Sequence, residues 1–129
     1  MAQTNGSRRH VVVWFEIPAG DFVRAKRFYE QVFGVALKEK QMGPMRLGVF
    51  PYADEAVSGC VITGQGYKAG QDGSVVYINA GLDLAEPLRR VEGAGGKVLV
   101  PKTLINAEIG YFAHFLDSEG NRVGMHSLN

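Results

Sequence analysis

One stretch of the sequence occurs twice. Asp21–Leu37 reads DFVRAKRFYEQVFGVAL, and Asp83–Leu99 reads DLAEPLRRVEGAGGKVL, aligned without a gap. Five positions are identical in the two copies: Asp21/Asp83, Arg27/Arg89, Glu30/Glu92, Gly34/Gly96 and Leu37/Leu99. An apolar run precedes each copy, at Val11–Ile17 and Val75–Ala80. A unit that recurs at about half the chain length is typical of a duplicated module. We therefore expect two halves that fold alike.

The first half reads as β-α-β-β-β. His10–Ile17 (HVVVWFEI) predicts a strand that Pro18–Gly20 ends. Asp21 is the expected N-cap of a helix, since apolar residues follow it at helical spacing until Gly34 supplies a left-handed stop. Three more strands are predicted, at Ala36–Lys40, Met45–Phe50 and Ser58–Thr63.

The second half repeats this order. Ser74–Ala80 predicts a strand, and Asp83 caps a helix that continues to about Ala94. The remaining predicted strands are Lys97–Val100, Tyr111–Leu116 and Asn121–His126. Pro101–Gly110 is interpreted as a loop, either a lid over a pocket or a plain connection. Gly64–Gly73 holds four glycines and predicts a linker too short to separate independent domains.

Composition sets broad limits on the chain. Its 129 residues, 46% of them hydrophobic, suffice for one domain with a real core. We expect a disordered leader at 1–9 and one domain at 10–129, made of modules at about 10–63 and 74–127. The net charge of +1 gives no electrostatic footprint for nucleic acid or an anionic membrane. Cys60 is the sole cysteine, which fits a reducing compartment. A cytoplasmic protein with no nucleic-acid or membrane partner is expected.

Two motifs resemble those of the vicinal oxygen chelate superfamily, which includes glyoxalase I, extradiol dioxygenases and bleomycin resistance proteins. One is the series Asp21, Ala25, Phe28-Tyr29 and Phe33-Gly34, and the other is Asp117–Asn121 (DSEGN). The resemblance implies an α+β fold, in which tandem βαβββ modules form a curved mixed sheet that closes into a cup. It also implies a homodimer.

The resemblance further implies a divalent metal held by four inward side chains. The matching positions here are Trp14, a residue at or near Cys60, one of residues 75–77, and Gly124. Indole and glycine cannot coordinate, and valine or tyrosine does not replace the usual His and Glu. We therefore expect no metal cofactor. An off-pattern site formed by Glu16, His114 and His126 is the alternative.

The residues in phase with these positions are the candidates for a small-molecule site, because strand side chains alternate between faces. Two are candidate general bases, at Glu16 and His114. The other candidates would contact a ligand: Trp14, Cys60, Tyr77, Asn79, Phe112 and His126. Each also has an ordinary structural interpretation, such as a core Trp14 or His114, a solvated Glu16 or His126, or a small buried Cys60.

Three functions remain open. The first is a metal-independent protein that binds a small, partly apolar organic molecule in the cup. The second is a lyase or isomerase of glyoxalase or epimerase type, with Glu16 or His114 as base. The third is a dimeric interaction module whose cup is filled by Trp14 and Tyr77. Whether the chain is an enzyme stays undecided by the sequence.

Overall fold

The computed structural model describes residues 10–129, so the expected leader at 1–9 lies outside the described residues. Strands and helices follow one another as βαβββ twice over, which confirms the α+β class and the repeated unit. The elements are β1 (Trp14–Pro18), α1 (Phe22–Phe33), β2 (Lys38–Met42), β3 (Met45–Val49), β4 (Ser58–Thr63), β5 (Tyr77–Asn79), α2 (Ala85–Arg90), β6 (Lys97–Asn106), β7 (Gly110–Leu116) and β8 (Arg122–Ser127).

Hydrogen bonding divides the strands into two four-stranded sheets with the same internal order. The first sheet runs β1-β4-β3-β2 and the second β5-β8-β7-β6. In each sheet the first and last strands of the module pair in parallel, and the other pairs are antiparallel. The strands that open the two modules, β1 and β5, therefore lie at sheet edges.

Helix α1 forms where the sequence predicts it. Asp21 accepts a hydrogen bond from the Arg24 backbone N–H, which satisfies one of the free donors of the first turn. Gly34 ends the helix with φ of 66°, a left-handed conformation that costs glycine little. The buried face consists of residues at helical spacing, Phe22, Ala25, Phe28, Tyr29 and Val32.

Five elements differ from the sequence-based predictions by two residues or more. Strand β2 lies at Lys38–Met42 instead of Ala36–Lys40, and β5 covers only Tyr77–Asn79 of the predicted Ser74–Ala80. The other three are β1, α2 and β6. Strand β1 begins at Trp14, and His10–Val13 precede it outside any strand. Helix α2 ends at Arg90, since the chain turns repeatedly over 91–95 before Gly96. The predicted loop Pro101–Gly110 is wrong, because β6 continues to Asn106 and pairs with β7 in a hairpin.

One hydrophobic core joins both modules. It contains Phe28 and Tyr29 from α1 together with Leu84, Phe115 and Met125 from the second half, all essentially inaccessible to solvent. Such burial of large apolar side chains is the main stabilising contribution to a fold of this size. The two modules therefore share their interior.

The turn between β7 and β8 fastens the second module to the first. The Tyr29 hydroxyl donates to Asp117 Oδ2 at 2.7 Å in a buried contact. Glu119 Oε1 accepts from the backbone N–H groups of Gly20 and Asp21 at 3.0 and 2.9 Å, just before α1. Asn121 Nδ2 donates to the Pro18 carbonyl at 2.7 Å. The DSEGN motif thus anchors the start of α1.

Within residues 10–129, neither helix has the length and apolar character needed to cross a membrane.

Candidate functional site

On the first sheet, Glu16 lies between two hydrogen-bond donors. Trp14 Nε1 donates to Glu16 Oε2 at 3.3 Å, and the Tyr67 hydroxyl donates to Glu16 Oε1 at 2.7 Å. Glu16 is paired in register with Cys60 on β4, on the sheet face opposite the one that buries Ile17 in the core. The structure therefore brings three predicted site residues together: Trp14, Glu16 and Cys60.

Cys60 is fully buried beneath this group. Burial raises the pKa of the Cys60 thiol to about 12, with a further contribution from the Glu16 carboxylate. Leu47, Val49 and Ile62 surround it, and the aromatic ring of Tyr67 packs on this cluster. Since a thiolate is the nucleophilic and metal-binding form, Cys60 stays an inert thiol at neutral pH.

On the second sheet, His114 is hydrogen bonded through both ring nitrogens. The Tyr77 hydroxyl lies 2.6 Å from Nε2, and Arg122 Nε donates to Nδ1 at 3.1 Å. Partial burial, and then the nearby Arg122 guanidinium, lower the pKa of the His114 imidazole. His114 is therefore neutral at pH 7.

Tyr77 lies directly over Gly124. The two residues are paired in the β5–β8 register, and Gly124 is in turn paired with His114 on β7. A Cβ added to Gly124 would lie 2.5 Å from Tyr77 Cδ2, well inside contact distance. The Tyr77 ring thus fills the space that any side chain at position 124 would need.

The other three candidates form the next row of the same sheet. Asn79, His126 and Phe112 are paired across β5, β8 and β7. His126 Nε2 donates to the Ile109 carbonyl at 2.7 Å, and Asn79 Oδ1 accepts from the Gly81 N–H at 3.0 Å. The Phe112 ring packs edge-on against His114, with 5.5 Å between the ring centres. Phe112 therefore extends the aromatic surface beside Tyr77.

A groove of about 1210 Å³ runs between the module edges and reaches both sheets. Trp14 on β1 and Tyr77 and Asn79 on β5 line it, and both aromatic rings are about half exposed. A smaller cavity of about 300 Å³ is lined by Glu16 of the first sheet and Arg122 of the second. Four of the eight candidates thus line one of two neighbouring depressions, and the other four line neither: Cys60, Phe112, His114 and His126.

The metal positions implied by the family resemblance do not fit a divalent ion. Trp14 and Gly124 carry no ligand atom, Cys60 is a buried thiol, and Tyr77 directs its hydroxyl to His114. Residues 10–129 also contain no group of three or more His, Cys, Asp and Glu side chains placed to hold a metal. This includes the alternative site of Glu16, His114 and His126.

Sequence reasoning missed two residues that contact the candidate bases. Tyr67 lies in the glycine-rich linker, where no periodicity indicates which way a side chain points. Arg122 alternates in phase with Gly124 and His126 on β8, which indicates the same face of the sheet. The structure places Tyr67 on Glu16 and Arg122 on His114.

Comparison with known proteins identifies the family. Residues 10–125 match the model of the Glyoxalase/Bleomycin resistance protein/Dioxygenase superfamily. Glyoxalase I from Zea mays is similar in structure, with a TM-score of 0.66 and 22% identity over 90% of this chain. The match covers 45% of the maize chain, so this protein spans less than half of that enzyme's length.

Two further solved structures show the same fold. A glyoxalase/bleomycin resistance protein/dioxygenase family enzyme from Burkholderia phytofirmans PsJN has a TM-score of 0.64 and 16% identity, over 91% of this chain and 98% of its own. A trypanothione-dependent glyoxalase I from Leishmania major has a TM-score of 0.62 and 15% identity, over 90% and 85%. No significant match was found among curated proteins. The family match over nearly the whole described chain shows that this protein belongs to the glyoxalase/bleomycin resistance protein/dioxygenase superfamily.

Proposed function

We propose that this protein binds a small, partly apolar organic molecule without using a divalent metal. The observation that carries the proposal is the groove of about 1210 Å³ whose walls include the half-exposed rings of Trp14 and Tyr77. Small-molecule sites are typically concave, largely apolar and aromatic, with a few polar groups that fix orientation. The proposed contacts are Trp14 and Tyr77 in this groove and Glu16 in the adjoining small cavity. His114, which packs against Tyr77, and Phe112, which packs against His114, complete the proposed set.

Metal independence is supported by the donor chemistry at the four family positions. A ligand set that consists of an indole, a glycine, a buried thiol and a phenol offers a hard divalent cation no usable site. The Tyr77 ring also fills the space that a metal-coordinating side chain at position 124 would need.

Of the two candidate bases, His114 has contacts that favour binding over catalysis. Both Glu16 oxygens accept hydrogen bonds, from Trp14 and Tyr67, and both His114 nitrogens are engaged. A general base must reach the proton that it removes with a free lone pair. Each Glu16 oxygen keeps a second lone pair, but a lyase or isomerase that used His114 as its base would have to break one of the two imidazole contacts before proton transfer.

We also propose that the protein is a homodimer in the reducing cytoplasm. The β1 edge is unpaired within the described chain, and Val11, Val12 and Val13 beside it are mostly exposed. An exposed edge strand next to exposed apolar side chains favours association with another chain. Light scattering coupled to size-exclusion chromatography tests this, and a monomer at micromolar concentration would refute it.

Thermal shift with a panel of aromatic acids, alcohols and hydrocarbons tests ligand binding, with the protein dialysed against a chelator. A ligand present at 100 times its Kd adds about 2.7 kcal/mol to the free energy of unfolding, so Tm rises measurably. Trp14→Ala should weaken any binding that is found, whereas Tyr52→Ala should leave it unchanged. Tyr52 is the matched control because it is an exposed aromatic residue that does not line the groove. A flat response from the whole panel would refute the proposal in favour of an interaction module.

A further inference from the structure

We propose that the Tyr77 hydroxyl is the polar anchor of the site, which His114 and Arg122 orient to donate a hydrogen bond to a carboxylate oxygen of the ligand. The inference rests on the proposed function and specifies the ligand chemistry. It assigns His114 a positioning role in place of the general-base role.

The hydrogen bonds around His114 determine its tautomer. Arg122 Nε can only donate, so His114 Nδ1, 3.1 Å away, must accept and carries no proton. The neutral imidazole then holds its single proton on Nε2. Because Nε2 lies 2.6 Å from the Tyr77 hydroxyl oxygen, the imidazole donates and the phenol oxygen accepts.

This arrangement leaves the Tyr77 hydroxyl proton unused. Within residues 10–129, His114 is the sole hydrogen-bond partner of that hydroxyl. The hydroxyl oxygen already accepts from His114, so the O–H can donate only to an acceptor outside the described chain. Tyr77 thus presents a donor with a defined orientation.

Packing holds the Tyr77 ring in place. The ring covers Gly124, where a Cβ would clash with three of its carbon atoms, and its centre lies 5.3 Å from that of His114. A donor held by packing before the ligand arrives loses less conformational entropy on binding than a mobile one. Tyr77 lines the larger groove and Arg122 the smaller cavity, so the hydrogen-bonded series Tyr77–His114–Arg122 runs from one to the other.

The charges nearby favour an anionic acceptor. Arg122 donates to His114 through Nε, and its two terminal nitrogens make no hydrogen bond within the described chain. Those N–H groups belong to a guanidinium suited to carboxylate recognition. Glu16 lines the same small cavity, but its oxygens accept from Trp14 and Tyr67 and it forms no ion pair with Arg122 within residues 10–129. A ligand that places an aromatic ring against Trp14 or Phe112 and a carboxylate at the Tyr77 hydroxyl would use both the aromatic and the polar residues of the site.

The test uses benzoate and toluene as matched probes, which differ in the carboxylate. Affinities are measured by NMR titration of wild type, Tyr77→Phe and the control Tyr52→Phe, at an exposed tyrosine that does not line the groove. Tyr77→Phe removes the hydroxyl and keeps the ring over Gly124. Because a hydrogen bond to a charged group contributes about 1.5–3 kcal/mol, Tyr77→Phe should weaken benzoate about 10- to 100-fold. Toluene binding should change less than about twofold, and Tyr52→Phe should change neither.

A second readout needs no ligand. The ¹⁵N shifts of the His114 ring at pH 7 should show a single neutral tautomer with the proton on Nε2, and Arg122→Met should convert it to a mixture. A wild-type His114 protonated on Nδ1 would overturn the inference even if both probes bind. Equal effects of Tyr77→Phe on benzoate and toluene would also overturn it while the proposed function stands. If benzoate does not bind wild type while another member of the ligand panel does, the inference fails and the proposed function stands. If no member of the panel binds, both fail.

Discussion

Removing the hydroxyl of Tyr29 is a sharp test of how the two modules are joined. Tyr29 is completely buried in α1 of the first module, and its hydroxyl donates to Asp117 Oδ2 at 2.7 Å in the second. Burial first, and then the Asp117 carboxylate, raise the pKa of the Tyr29 phenol well above its usual value. The phenol is therefore a permanent donor over the working pH range, and Tyr29→Phe deletes one buried charge-assisted hydrogen bond.

The expected loss follows from what remains around Asp117. Its carboxylate keeps three other donors, the backbone N–H groups of Glu119 and Asn121 at 2.8 and 2.9 Å and Asn121 Nδ2 at 2.9 Å. It is therefore not left unsatisfied, and the cost should fall at the lower end of the range for hydrogen bonds to charged groups, about 1.5–2 kcal/mol. For a chain of this size that corresponds to a fall in Tm of about 6–8 °C.

Urea denaturation of wild type, Tyr29→Phe, Asp117→Ala and the double variant measures this. Asp117→Ala should cost more, at least about 3 kcal/mol, because it leaves the Tyr29 hydroxyl and turn N–H groups buried without an acceptor. The double variant should cost clearly less than the sum of the two, since the pair interacts directly. Tyr52→Phe, on an exposed ring, should change the free energy of unfolding by less than about 0.5 kcal/mol. If Tyr29→Phe costs less than about 0.5 kcal/mol, or if the two single losses simply add in the double variant, the Tyr29–Asp117 hydrogen bond does not join the modules as described.

Three further outcomes are expected. Burial alone would raise the pKa of the Glu119 carboxyl, but its hydrogen bonds, of which that from Arg24 is the strongest, lower it below the usual 4.5. The ionised carboxylate therefore stabilises the fold fully above pH 4.5, and this contribution is lost as the pH falls through the lower pKa of the folded state. Acid titration of Tm should show a steeper fall for wild type than for Glu119→Gln. Cys60, with its pKa raised to about 12, should resist iodoacetamide at pH 8 in the native protein and react once the protein is denatured, and fast native labelling would contradict its burial. Gly124→Ala should displace the Tyr77 ring and weaken benzoate binding while the protein stays folded, and unchanged affinity would show that the ring moves freely.

The elements with strong local signals were predictable from the sequence. Helix α1 carries a cap at Asp21, an apolar stripe and a stop at Gly34, and it spans Phe22–Phe33 as expected. Strand β4 matches its predicted range, Ser58–Thr63. The last hairpin was also close to its predicted strands, Tyr111–Leu116 and Asn121–His126, because turn formers occupy Asp117–Gly120 between them.

The wrong predictions concern segments whose structure is determined by tertiary contacts and not by the local sequence pattern. Residues 101–110 begin with proline and alternate poorly, yet β6 extends through Pro101 as an edge strand with register shifts on either side. Proline is tolerated there, since an edge strand does not need every N–H for pairing. Sequence spacing also gave no sign that Tyr67 reaches Glu16 across 51 positions. Contacts of that kind depend on how the linker folds over the first sheet, which no periodicity encodes.

The central claim is ligand binding that does not depend on a divalent metal. The most direct measurement is the Kd of benzoate for protein dialysed against a chelator, repeated after addition of Zn²⁺, Ni²⁺ or Mn²⁺. The same Kd is expected in all four preparations, because Trp14, Cys60, Tyr77 and Gly124 offer a cation no ligand set. Binding that appears only after a metal is added would contradict it.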